Sequence, residues 1–76
     1  MAIHSHQLPA TWDREIARDR LVEFGKLAYS AKVGGKIDGA VKTISYGRMR
    51  LYAPVVRLDP SSNEDVLRVQ QLARDF

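Results

Sequence analysis

Few residues in these 76 have the type and spacing to do chemistry. His4 and His6 stand two apart in "IHSHQ" and would share a metal if that stretch were extended. With no third ligand they fall short of a metal site, and the reading is a mobile tail. There is no cysteine, so disulfides and thiolate zinc sites are removed. Ser61 and Ser62 precede an apolar-periodic run and have a capping role. The acids gather at helix starts, where the helix dipole and capping account for them. The glycines of "VGGKIDGA", residues 33 to 40, lack both the GxxxxGK[ST] and the GxGxxG spacing that cradles a phosphate. No catalytic, cofactor-binding or metal residue is assigned, and the chain reads as non-enzymatic.

What remains is charge. Residues 1 to 31 balance four basic against four acidic side chains. Residues 32 to 57 carry Lys32, Lys36, Lys42, Arg48, Arg50 and Arg57 against Asp38 alone, so the formal net charge of +3 originates there. Such a segment faces nucleic acid or an acidic protein surface, or is a solvated face that deters aggregation at a sheet edge. Arginine binds phosphate or reads guanine, and tyrosine stacks on bases. Lys42, Arg48, Arg50, Tyr52 and Arg57 are the partner- or DNA-facing candidates.

These side chains need elements to position them. Length allows one domain, and a chain this short buries only about 60% of its unfolded surface. Residues 1 to 10 read as a flexible arm. Residues 11 to 76 form the domain. Residues 11 to 33 are a helix, with Thr11 as cap and an apolar stripe through Ile16, Leu21, Phe24, Leu27, Ala28 and Ala31. Gly25 inside it costs about 1 kcal/mol against alanine, and a close helix contact would explain it. Gly34 and Gly35 suit the left-handed residue that ends such a helix.

"AVKTISYGRMRLYAP", residues 40 to 54, gives a β-hairpin with Gly47 in the turn. Met49, Leu51 and Ala53 share one face, taken as the core face, and Arg48, Arg50 and Tyr52 the other. Pro54 ends pairing or marks an edge. Residues 54 to 63 are a connector, and "SSNE" matches a capping box of Ser61 with Glu64. Val66, Val69, Leu72, Ala73 and Phe76 make the stripe of a second helix. The fold class is α+β: helix, β-hairpin, helix, with both helices packed on one face of the hairpin. No segment has the roughly 18 apolar residues that a membrane span needs, and the first 15 residues lack the form of a signal peptide.

"AVKTISYGRMRLYA", followed by "EDVLRVQQLARDF" and preceded by a helix ending in glycine, resembles the head-to-tail joining protein W family of tailed phages. The likeness covers residues 16 to 52 and 64 to 76. It implies a hairpin framework of Val41, Thr43, Ile44, Tyr46, Gly47, Met49 and Leu51, packed on Val66, Val69 and Leu72. The loop 33 to 40 and the connector 53 to 63 are longer than the family pattern, and the turn after Gly47 is one residue shorter. A tail after Phe76 is not expected, and the arm of residues 1 to 10 is expected to serve in its place.

The resemblance implies a structural virion protein, a head–tail connector (adaptor). It would assemble in the host cytoplasm as a homo-oligomeric ring beneath the portal protein, in the neck of the virion. There it would close the DNA-filled head and offer a docking surface to tail-side proteins, with non-specific contact to packaged DNA. It needs no membrane and no cofactor. Two other readings of the same residues stand beside it: a small nucleic-acid-binding regulator using the basic hairpin, and a phage- or plasmid-encoded inhibitor of a host protein.

Overall fold

The computed structural model describes residues 3–76. The chain runs β1 (His4–Gln7), α1 (Arg14–Ser30), β2 (Lys36–Tyr46), β3 (Met49–Asp59) and α2 (Asn63–Asp75). The sheet has three antiparallel strands in the order β1-β3-β2. It is a small α+β domain with both helices on one side of the sheet.

The N-terminal segment is not a free arm. His4 to Gln7 pair with Leu58 to Val55, and Leu8 is buried in the core beside them. Residues 1 and 2 of the expected arm lie outside the described residues. Thr11 is not the helix cap either: its N–H and C=O bond the backbone of Tyr52. Asp13 caps α1 instead, accepting the Glu15 N–H at 2.8 Å.

The end of α1 departs from expectation in a similar way. Lys32, not a glycine, takes the left-handed position (φ 57°). The Val33 N–H then reaches Ala28 O and the Lys32 N–H reaches Tyr29 O, both at 3.1 Å. That is a Schellman ending, and Val33 packs against the core as its apolar partner. Two satisfied carbonyls offset the roughly 1–2 kcal/mol that a side chain costs there.

The hairpin is longer than its sequence suggests. β2 begins at Lys36, so the expected loop of residues 33 to 40 is mostly strand. β3 continues through Pro54 to Asp59, so the expected connector is strand as well. Pro54 lies inside the central strand, opposite Val41. The antiparallel ladder explains how. Leu8 N–H donates to Pro54 O at 2.8 Å, and the Tyr52 backbone also faces β1. Even residues of β3 therefore turn their backbone toward β1, odd ones toward β2. The donor that proline lacks would have faced the end of β1, and no bond between β2 and β3 is lost.

The core forms around Phe24, Leu8, Val56, Leu58 and Val69. Leu21, Val66, Leu72 and Phe76 pack against it. Phe24 meets the Phe76 ring edge-on, with centroids 5.6 Å apart. Val69 is fully buried, with Val66 and Leu72 half-buried beside it, so the second stripe packs as expected. In α1, Phe24 and Ala28 are buried, but Ile16 and Leu27 are exposed. Gly39 lies directly under α1, where a Cβ would come within 3.0 Å of Leu21 Cδ2.

The molecule is elongated, 41 × 23 × 17 Å. Its Cα radius of gyration is 12.7 Å, against about 11 Å for a compact chain of this length. Strands of eleven residues reach about 36 Å. The start of α1, at Arg14 and Arg18, borders Ala40 and Val41. Beyond that point the hairpin extends clear of the helices.

Candidate interaction surface on the hairpin

The projecting half of the hairpin runs from Lys42 to its cross-strand partner Ala53. Gly47 makes the turn with φ 61°, and a Cβ there would meet nothing. Tyr46 pairs with Met49 across it, so the turn itself is the two residues Gly47 and Arg48.

Alternation fixes where each side chain points, because the β2–β3 register runs unbroken. Pro54, Val56 and Leu58 face the helices. Tyr52 and Arg50 therefore share the helix side of the sheet, beyond the helices themselves. Met49, Leu51, Ala53, Val55 and Arg57 point to the open side. On β2, Val41 and Thr43 take the helix side, and Lys42, Ile44 and Tyr46 the open side.

The expected core face is thus inverted. Met49 is 57% exposed, and Leu51 and Ile44 are half-buried on the open side. Ala53 is buried, though on the face away from the helices. The parity of the alternation was right, but the side that meets the helices is set by Val56 and Leu58. Those residues lie beyond Pro54, where the strand was expected to stop.

The candidate residues do not form a single face. Lys42 and Arg57 lie on the open side, Arg50 and Tyr52 on the other, and Arg48 is at the tip. Lys42, Arg48 and Arg50 are exposed, and no acid occurs between residues 39 and 58. Arg57 is different: its Nη2 lies 2.9 Å from Asp38 Oδ2 in a solvent-exposed pair. Tyr52 is half-buried, with its backbone held by Thr11. The projecting half therefore carries three uncompensated cations that surround the hairpin rather than line one side of it. A negative surface could approach from either side or from the end.

The histidines lie in β1, on the helix side with Val56 and Leu58. The extended backbone does place them on one face. Burial, and next the neighbouring His4, lower the pKa of His6, and its Nε2 is buried without a hydrogen-bond partner. Among the described residues no group of three histidine, aspartate or glutamate side chains is placed to hold a metal.

One buried charge was not foreseen. Asp65 is 4% exposed. Its carboxylate accepts Ser61 Oγ at 2.7 Å, Gly34 N at 2.8 Å and the Ser61 and Ser62 amides at 3.1 Å. The Ser61 hydroxyl first, then the Gly34 amide, hold its pKa down to about 2. The N-cap of α2 is Ser62, so the box expected for Ser61 and Glu64 is shifted by one residue to Ser62 and Asp65. Glu64 instead reaches Arg68 at 3.8 Å on the surface. The signal was in the sequence, because "SSNED" allows both registers. Only Asp65, on the inner face of α2, can also reach Gly34.

The surface carries more apolar area than the core requires. Trp12 is 77% and Tyr29 86% exposed, and Ile16, Val22 and Leu27 on α1, Leu67 on α2 and Tyr46 at the tip join them. Among the described residues no helix is long and apolar enough to cross a membrane. No family model, no curated protein and no solved structure matches this chain.

Proposed function

We propose that this chain is a structural protein that acts by docking: a phage head–tail connector, assembled as a homo-oligomeric ring beneath a portal in the virion neck. The observation that carries this reading is the acid-free hairpin half, with Lys42, Arg48 and Arg50 exposed around a tip that stands clear of the body. A ring around packaged DNA needs cations toward its lumen and apolar contacts between subunits. The hairpin supplies the first. Trp12, just before α1, with Ile16 and Leu67 on the helices, supply the second. The order helix, long hairpin, helix supports the likeness to the joining-protein family, and the N-terminal strand departs from it. The protein works without a cofactor or a catalytic residue. Its partners are copies of itself, the portal and tail-side proteins.

Two measurements decide it. Native mass spectrometry of the purified chain is expected to show a closed ring, alone or on a portal. Peptide mass spectrometry of purified virions is expected to find the chain. Absence from virions, with no portal association, overturns the reading.

A nucleic-acid-binding regulator is the second reading, favoured by the same two-stranded projection, since a β-ribbon fits the major groove. It requires sequence-preferring duplex binding at physiological salt that Arg48→Ala or Arg50→Ala weakens. A connector instead gives only non-specific, steeply salt-dependent contact.

A further inference from the structure

β2 is an edge strand of eleven residues that pairs on one side only. The opposite edge, β1, has four. Proteins usually blunt a long edge with lysines or other charges, a proline, a bulge or a covering element. β2 has no proline, its register with β3 has no bulge, and among the described residues no further strand covers it; of these devices it carries only charge, at Lys36, Asp38 and Lys42.

The ladder shows which backbone groups are free. Odd residues of β3 turn toward β2, so their partners, the even residues of β2, turn toward β3. Ile37, Gly39, Val41, Thr43 and Ser45 therefore send their N–H and C=O outward. The Gly39 N–H bears this out: it is taken by the Asp38 carboxylate at 2.8 Å instead of by a strand.

We propose that β2 pairs antiparallel with β2 of a second copy of this chain, about a two-fold axis at Ala40, joining two sheets into one of six strands. In that register Ile37 faces Thr43 and Gly39 faces Val41, each twice. All are outward-turned residues, and together they form about eight backbone hydrogen bonds. On the open side the register sets Asp38 of each copy opposite Lys42 of the other. The neighbouring registers lose this match. An axis at Val41 sets Asp38 against Ile44, and an axis at Gly39 sets Lys36 against Lys42. Opposite charges directly across strands stabilise a pair, and like charges oppose it. On pairing, the Asp38 carboxylate gives up the Gly39 N–H to the second strand and gains a lysine, while Arg57 stays on its other oxygen.

The helix side of this edge suits the same occupant. A shallow apolar groove beside β2 is lined by Leu21, Val22, Gly25, Ile37 and Gly39. Val41 and Thr43 of the second copy would fall next to Gly39 and Ile37, along this groove. Val22 is 58% exposed there. Gly25 has nothing within 4 Å of the position its Cβ would take, so no contact inside the monomer explains a glycine in mid-helix. Room for the second copy does.

This pairing does not rest on the connector reading. A two-fold pair closes on itself, so a ring needs a second, different surface. Either can fail without the other.

The chain has no cysteine, so a single introduced thiol reports the register. Ala40→Cys places the two thiols opposite each other in a non-hydrogen-bonded pair. The Cα atoms are then about 4.5 Å apart, within reach of a disulfide. Mild oxidation is expected to convert Ala40→Cys to a covalent dimer at least tenfold faster than Val41→Cys or Ser45→Cys. Sedimentation equilibrium of the unmodified chain is expected to show a concentration-dependent dimer. Lys42→Asp, an exposed change, is expected to weaken it about tenfold through two like-charge contacts, and adding Asp38→Lys to restore it. A chain that stays monomeric at millimolar concentration overturns the proposal. So does cross-linking through position 41 or 45 as fast as through 40, or a dimer that Lys42→Asp leaves unchanged.

Discussion

The Asp65 carboxylate accepts the Gly34 amide at 2.8 Å, joining the first turn of α2 to the loop that leaves α1. Five donors converge on this one buried acid, the fifth being Ser62 Oγ at 3.4 Å. Hydrogen bonds to the charged form keep it ionised.

That arrangement fixes an acid-side pH dependence. The folded-state pKa is depressed from 3.8 to about 2. The stabilisation is therefore complete above the unfolded value and is lost as pH falls from about 4 toward 2. Asp65→Asn is expected to lower the melting temperature at neutral pH and to flatten the fall in stability across that window. Thermal melts at pH 2 to 7 on both proteins check it. An unchanged acid slope in Asp65→Asn would contradict the assignment.

Two glycines with positive φ should respond differently. At Gly35 (φ 83°) an added Cβ collides with the Asp59 carbonyl and crowds Pro60. At Gly47 (φ 61°) it meets nothing. Gly35→Ala should cost roughly 3 kcal/mol or more, and Gly47→Ala about 1 kcal/mol. Gly47→Asn should be near neutral, because asparagine accepts the left-handed region. Urea denaturation separates the three.

β1 is a structural strand rather than a tail, so Leu8→Ala should cost about 2–5 kcal/mol, as core leucines do. In a domain this small that is a large share of the total stability. A melting temperature unchanged by Leu8→Ala would return the segment to the status of an appendage.

Gly25 faces open space within one copy. Gly25→Ala should therefore stabilise the folded chain by up to about 1 kcal/mol through helix propensity. The measurement is a urea midpoint taken at a concentration low enough to hold the chain monomeric.

Among the described residues Arg48 and Arg50 at the tip make no salt bridge within the fold. Arg48→Ala and Arg50→Ala should each change stability by less than about 0.5 kcal/mol. Together they should weaken binding to duplex DNA and reduce its salt slope by about 2. Fluorescence anisotropy across a salt series gives both numbers. A double variant that binds DNA as before removes the hairpin as the contact.

The order of helix, hairpin and helix was legible because three signals are local: the acidic first turns, the glycine turn at Gly47 and the stripe through Val66, Val69 and Leu72. What escaped was set by distant partners. "HSHQ" has no apolar alternation of its own and becomes a strand because β3 has a free edge for it. Pro54 reads as a stop unless the direction of its missing N–H is known, and that depends on Leu8. The assignment of core and open faces failed for the same reason, since Val56 and Leu58 decide it from beyond the proline. In the candidate surface, the basic residues and the parity of their strand were readable. That they surround a projecting tip, and that Arg57 is engaged by Asp38, followed only from the long register.

The position of β3 between strands from opposite ends of the sequence also orders the assembly of the sheet during synthesis. His4 pairs with Leu58, so the first strand made waits for the last. At about 5–20 residues per second, the roughly fifty intervening residues take seconds to emerge. Through that interval β1 has no ladder to join, and Leu8 has no core to enter. A nascent chain halted before Val55 can hold α1 and part of a hairpin but cannot close the sheet. Its first residues then remain accessible to whatever meets them at the ribosome exit.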